Sequence, residues 1–190
     1  MLIGIDDGGG AGKSTFAEIL RKIDPDNITV IHMDDFYKTS KQRAASFNEI
    51  GWLCDCNRIK TQVLTPLCNE QSAIYQIYDW DLDKLNEWHY ISAGGVVIVE
   101  GCYSLIDDLF SYYDFKIWID IHPALRLLRG IERDGEVKRH LWENLWIPAE
   151  EYYFKVQQPI KSVDLVVDGS VDIDNFMVNI LRMEIKKEDE

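Results

Sequence analysis

Leu2-Ile3-Gly4-Ile5-Asp6-Asp7-Gly8-Gly9-Gly10-Ala11-Gly12-Lys13-Ser14-Thr15 is the stretch from which the rest of the chain is best read. An isoleucine-rich run reads as a strand, the glycines as a turn, and Lys-Ser as the start of a helix. Beyond it Phe16, Ile19, Leu20 and Ile23 recur at helical spacing until Pro25 stops them. Backbone N–H groups of such a loop point at phosphate oxygens, and the helix N-terminus adds a favourable dipole. Lys13 can reach the β- and γ-phosphates, and the Ser14 hydroxyl can ligate Mg²⁺. Gly8, Gly9, Gly10, Ala11, Gly12, Lys13, Ser14 and Thr15 are therefore the candidate nucleotide-binding residues. One position departs from the pattern G-x-x-x-x-G-K-[ST]: Asp7 stands where the first glycine belongs. A carboxylate there repels phosphate unless it turns away or caps the turn.

Working outward, short β-branched runs alternate with longer stretches of helical period, the signature of βαβ units and a parallel sheet. Strands are predicted at Leu2–Asp6, Ile28–Met33, Val96–Glu100, Phe115–Ile121 and Val163–Val167. Later helices are predicted at Pro123–Arg133, Arg139–Gln157 and Asp172–Lys187, with a charged tail that frays. Residues 38–92 break the alternation with one helical pattern near Arg58–Leu67 and an extended piece at Ala73–Tyr78. No linker sets them apart, so they read as an insertion on the substrate side of one domain covering 1–190.

The 190 residues carry 20 Lys and Arg against 33 Asp and Glu, a net charge of −13, with 46% apolar residues. That length fits one core. The acidic surface argues against nucleic acid and anionic membranes as partners. No apolar run is long enough for a membrane span and no signal peptide is visible, so a cytoplasmic location is expected. Cys54, Cys56, Cys68 and Cys102 then read as ordinary thiols, and the four histidines lack metal-ligand spacing.

Two further signals converge on the loop. Val96-Val97-Ile98-Val99-Glu100 is a buried strand ending in an acid, expected beside the loop's own strand with its carboxylate in reach of Mg²⁺. Asp34 follows the second strand within Asp34-Asp35-Phe36-Tyr37. The window from Arg126 to Arg139 is net positive inside an acidic chain, and Arg126, Arg129 and Arg133 share one helix face. Beside a phosphate loop such a face suits a lid, residues 124–141, over a transferring phosphoryl group. Taken alone, each of these also reads as a solvated strand end, an N-cap or a basic surface.

In this order the Lys13-Ser14 loop, Asp34-Asp35-Phe36-Tyr37, Glu100-Gly101, Arg126-x-x-Arg129-x-x-x-Arg133-Asp134 and the closing Pro159–Val167 stretch resemble the uridine kinase/phosphoribulokinase family of P-loop kinases. The resemblance implies an α/β, three-layer P-loop fold with a parallel sheet flanked by helices, a small substrate-side insertion and an arginine lid. It implies ATP and Mg²⁺, with Asp34 as the base for the acceptor hydroxyl, Ser14, Glu100 and Asp34 near the metal, and Lys13 with Arg126, Arg129 and Arg133 on the phosphates. Tyr37 and Tyr78 match substrate-side aromatics. Glu49, or Asp55, is a candidate for a sugar diol, although either also reads as surface acid. The sequence departs from the family at Asp7, at Gly130 where another lid arginine often stands, and after Tyr78-Asp79-Trp80. There Asp83 and Lys84-Leu85 replace a His and Arg that help read the base.

The expected activity is phosphorylation of a primary hydroxyl on a small molecule, foremost the 5′-hydroxyl of a nucleoside. A kinase for a vitamin precursor or sugar, and a nucleotide-binding regulator that has lost catalysis, are the rivals. A GTPase switch is disfavoured because no N-K-x-D motif occurs. Whether the chain forms a homo-oligomer is left open.

Overall fold

A computed structural model describes residues 1–47, 49–170 and 180–183. Six strands, β1 (Leu2–Asp6), β2 (Ile28–His32), β5 (Val96–Glu100), β6 (Phe115–Asp120), β7 (Leu165–Asp168) and β8 (Ile180–Met183), form one sheet in the order β2-β5-β1-β6-β7-β8. All neighbours are parallel except β7 and β8. Side chains alternate between the two faces, and both faces are buried, as parallel sheets require. Ile98, Ile117 and Ile119 join Phe16 and Ala17 in one apolar cluster, whereas their neighbours Val97, Val99 and Trp118 join Leu105, Leu109 and Tyr153 in the other. Helices cover both faces, giving three layers.

Helix α1 (Lys13–Ile23) leaves the loop on the first of these faces. The opposite face carries α5 (Asp107–Phe110) and α8 (Ile147–Gln157), the latter setting Phe154 edge-on to Trp118 at 5.0 Å. Helix α6 (Pro123–Asp134) starts on Pro123 with the His122 ring accepting the Ala124 N–H. It continues through a turn into α7 (Arg139–Leu141), a π turn at Trp142–Trp146 and α8. Residues 38–92 form α2 (Ser40–Ala45), then α3 (Cys56–Ile59) and α4 (Thr65–Cys68) joined by a π turn at Lys60–Leu64. The hairpin of β3 (Ala73–Asp79) and β4 (Lys84–Ile91) follows as a separate antiparallel sheet. Among the described residues no helix is long and apolar enough to cross a membrane.

Three expectations need correction. Residues 180–183, placed in a helix over Asp172–Lys187, are the antiparallel strand β8; the remainder of that span lies outside the described residues. β2 stops at His32 because Met33–Phe36 turns into a 3-10 helix. β4 was not anticipated at all: seven of its eight residues are exposed, so it carries no apolar alternation to reveal a strand.

Candidate active site

The C-terminal ends of β1, β2 and β5 open into one cleft of about 700 Å³. The loop after β1 forms one wall. Gly12 takes a left-handed conformation, φ 96°, and caps α1 with no side chain in the way, leaving the first helical amides free at the cleft. Gly10 is also left-handed, and a Cβ on it would meet the Arg126 carbonyl oxygen at 2.4 Å. Lys13 is buried and its Nζ donates to the Gly8 carbonyl at 2.7 Å, so the lysine spans the loop. Burial opposes its charge, but Cys102, Glu100, Asp7 and Asp6 around it more than offset this and raise its pKa.

Two acids meet on the other side. Glu100 and His32 are Cα partners across β5 and β2. Glu100 Oε1 accepts the Ser14 hydroxyl at 2.9 Å and lies 2.5 Å from His32 Nδ1. Gly101, φ 141°, lets the next turn pass Met33, whose Cβ a side chain at 101 would meet at 2.5 Å. That close approach brings the turn bearing Asp34 beside Glu100. The turn is held from behind: Arg58, buried, donates to the Asp35 carbonyl at 2.8 Å and lies over the Phe36 ring at 4.7 Å. Tyr75 donates its hydroxyl to Asp35 at 3.2 Å. Asp34 itself faces the cleft. Although open to the cleft, it is partly desolvated by the surrounding walls, and this and the nearby Glu100 raise its pKa against the pull of Lys13, Arg133 and His32. Two crowded carboxylates and a hydroxyl are hard oxygen donors, and their mutual repulsion is what a divalent cation relieves, so Ser14, Glu100 and Asp34 fit Mg²⁺.

Asp7 turns away from the cleft. Its carboxylate is buried and lies 3.4 Å from Arg126 Nη1, and burial pushes its pKa up to about 7. This corrects the expected place of Arg126. It shares a helix face with Arg129 and Arg133, but α6 sets out from beneath the loop. Arg126, at its inner end, is therefore 1% exposed and bound to Asp7 and Glu150, whereas Arg129 and Arg133 line the cleft further along. Arg129 is steadied by the Gly169 carbonyl at 2.8 Å and Arg133 by Asp134 at 2.8 Å. Lys138 adds a cation to the same rim. Gly130 is explained too: the Trp142 ring lies on it, and the side of Trp142 and Trp146 faces the cleft.

At the end of the cleft towards the hairpin Tyr37 and Trp80 line the wall, their ring centroids 4.4 Å apart. Tyr78 is buried behind them, stacked on Tyr37 at 6.3 Å, rather than in the cleft wall. Arg43 lies within 6.0 Å of all three rings. Asp83 accepts from the Ser40 hydroxyl at 2.5 Å, the Tyr78 hydroxyl at 2.6 Å and the Ser40 N–H at 2.8 Å, bonds that hold its pKa down to about 2. It thus fastens the hairpin to α2. Glu49 is exposed in the turn before Trp52 and is not part of the cleft wall. His32, Arg43, Trp142 and Glu150 were missed in the sequence because each depends on a contact distant along the chain.

The description "Phosphoribulokinase / Uridine kinase family" matches residues 2–146 of this chain. The chain belongs to that family. It is 30% identical over 141 residues to a uridine kinase of Clostridium tetani, covering 70% of this chain and 68% of the relative. A uridine kinase of Halalkalibacterium halodurans is 29% identical over 167 residues, covering 84% and 77%. Among solved structures, a possible uridine kinase from Bacillus stearothermophilus superposes with a TM-score of 0.69 at 22% identity, covering 87% of each chain, which is a likeness of fold. The α/β P-loop architecture and the assignment as a kinase, a phosphotransferase acting on a hydroxyl, stand on these together with the sheet order.

Proposed function

We propose that this kinase transfers the γ-phosphoryl group of ATP to a primary hydroxyl, foremost the 5′-hydroxyl of a nucleoside. The observation that carries the reading is the convergence of Lys13, Ser14, Asp34 and Glu100 on one cleft with Arg129 and Arg133 on its rim. Asp34 accepts the proton of the acceptor hydroxyl and orients its oxygen towards the phosphorus. Lys13, the loop amides and the rim arginines neutralise charge on the phosphoryl oxygens as the bond to the leaving oxygen lengthens. Mg²⁺, held by Ser14, Glu100 and Asp34, would supply further neutralisation of the phosphates. Tyr37, at the end of the Met33–Phe36 turn, and Trp80, from residues 38–92, form the aromatic end where the acceptor binds.

The Clostridium tetani and Halalkalibacterium halodurans relatives, uridine kinases by name, support a nucleoside acceptor, whereas a phosphoribulokinase of Synechocystis, 26% identical, supports a sugar compound. The departure after Trp80 supports the alternative of another small hydroxyl compound, since Asp83 is engaged in tying Tyr78 to α2. The reading as an inactive regulator loses its main support, because Asp7 faces Arg126 and not the cleft. A panel of nucleosides, vitamin precursors and sugars assayed for ADP release from MgATP tests the reading. A nucleoside is expected to give the highest kcat/KM, and acceptor-independent or absent release across the panel would overturn it.

A further inference from the structure

The loop of this kinase is fastened from behind by a closed ring of contacts. Arg126 Nη1 approaches Asp7 Oδ1 at 3.4 Å, and Arg126 Nη2 donates to Glu150 Oε2 at 2.9 Å. Glu150 Oε1 in turn accepts the Gly9 N–H at 2.9 Å. The ring leaves the loop at residue 7, passes through α6 and α8, and returns to the loop at residue 9. It leaves no room for a larger loop: a Cβ on Gly8 would lie 2.5 Å from both Arg126 Cζ and Glu150 Oε2, and one on Gly9 would lie 2.7 Å from the Trp142 ring. All three charged members are buried, so their interactions are little screened.

Asp7 also lies among the acids around Lys13, but its side-chain hydrogen bond is to Arg126. A carboxylate buried in place of a glycine carries a desolvation cost unless it is engaged, and its engagement here is with Arg126 alone among the side chains bonded to it. Arg126, in turn, is withdrawn from the cleft by the same contact. A loop with a glycine at 7 would lose one of the ring's two attachments, and Arg126 would keep only the acids of α8.

We infer that Asp7, Arg126 and Glu150 are positioning residues which set the shape of the phosphate loop, so that Asp7 improves triphosphate binding instead of opposing it. The inference rests on the reading of the cleft as an ATP site. Calorimetric titration of MgATP into the full chain separates the two: wild-type protein that does not bind MgATP removes the ATP site itself, whatever the variants do.

With wild-type binding established, Asp7→Gly, which restores the glycine of the general pattern, is expected to weaken MgATP roughly tenfold, the scale of one charge-assisted hydrogen bond. Its kcat at saturating ATP should change much less. Glu150→Gln should weaken binding similarly, and the double variant by less than the product of the two, since both open the same ring. Asp7→Asn keeps the size of the side chain and carries the test should Asp7→Gly not fold. Glu151→Gln, a half-exposed neighbour 3.5 Å from Arg126 and outside the ring, should leave affinity unchanged. Equal or tighter binding by the folded Asp7 variant, or effects of Asp7 and Glu150 that multiply as independent, would overturn the inference.

Discussion

The ring of Trp142 lies against Gly130 so closely that a Cβ built on the glycine would meet Trp142 Cζ2 at 2.5 Å. Trp142 is 2% exposed, and its indole N–H donates to Asp134 at 3.1 Å, so it has little freedom to retreat. The helix that carries the rim arginines is therefore seated by this contact.

Gly130→Ala is expected to destabilise the protein by about 1–3 kcal/mol through overpacking, despite the better helix propensity of alanine. Urea denaturation at constant pH reads the change. A variant as stable as wild type would mean that the tryptophan is not wedged there.

Trp80 is 56% exposed yet lines the cleft beside Tyr37, at the end proposed for the acceptor. Trp80→Ala should raise KM for the acceptor on the order of tenfold while leaving KM for ATP close to wild type, as loss of an aromatic contact at one end of the cleft implies. Steady-state kinetics with each substrate varied in turn separates the two. An equal rise in both constants would place Trp80 outside the acceptor subsite.

The sheet and the loop were legible because their signals are local. β-branched runs buried on both faces and a glycine turn before Lys13-Ser14 need no distant partner to be recognised. Glu100 was legible for the same reason, ending an apolar strand. What could not be read was how side chains pair across the fold. Arg126 looks like its companions Arg129 and Arg133 along the helix, and only its seat beneath the loop makes it structural. Asp7 looks like a defect until Arg126 is placed beside it. The exposed strand β4 offers no alternation, and His32 gains meaning only through its register with Glu100.

Asp6 gives a pH dependence that can be isolated. It is fully buried, and burial raises its pKa from 3.8 to about 6, against the N–H groups of Leu105 and Asp7, the Tyr153 hydroxyl and the charge of Lys13. The folded state therefore binds this proton more tightly than the unfolded chain. The contribution is complete below about pH 4 and is lost as the pH rises through about 6, on the order of 3 kcal/mol in all. Asp6→Asn removes the titration, so between pH 4 and 7 its unfolding free energy should fall less steeply than that of wild type, whatever its absolute value. Parallel curves would contradict the assignment.

The central claim, that the cleft activates an acceptor hydroxyl at Asp34 for phosphoryl transfer, is tested most directly by Asp34→Asn. Acceptor-dependent ADP formation and MgATP affinity would be measured on the same preparation, with the best acceptor of the panel. A fall in kcat of roughly 10²- to 10⁴-fold is expected, the usual reach of a general base, with ATP affinity largely kept. Turnover equal to wild type would contradict it.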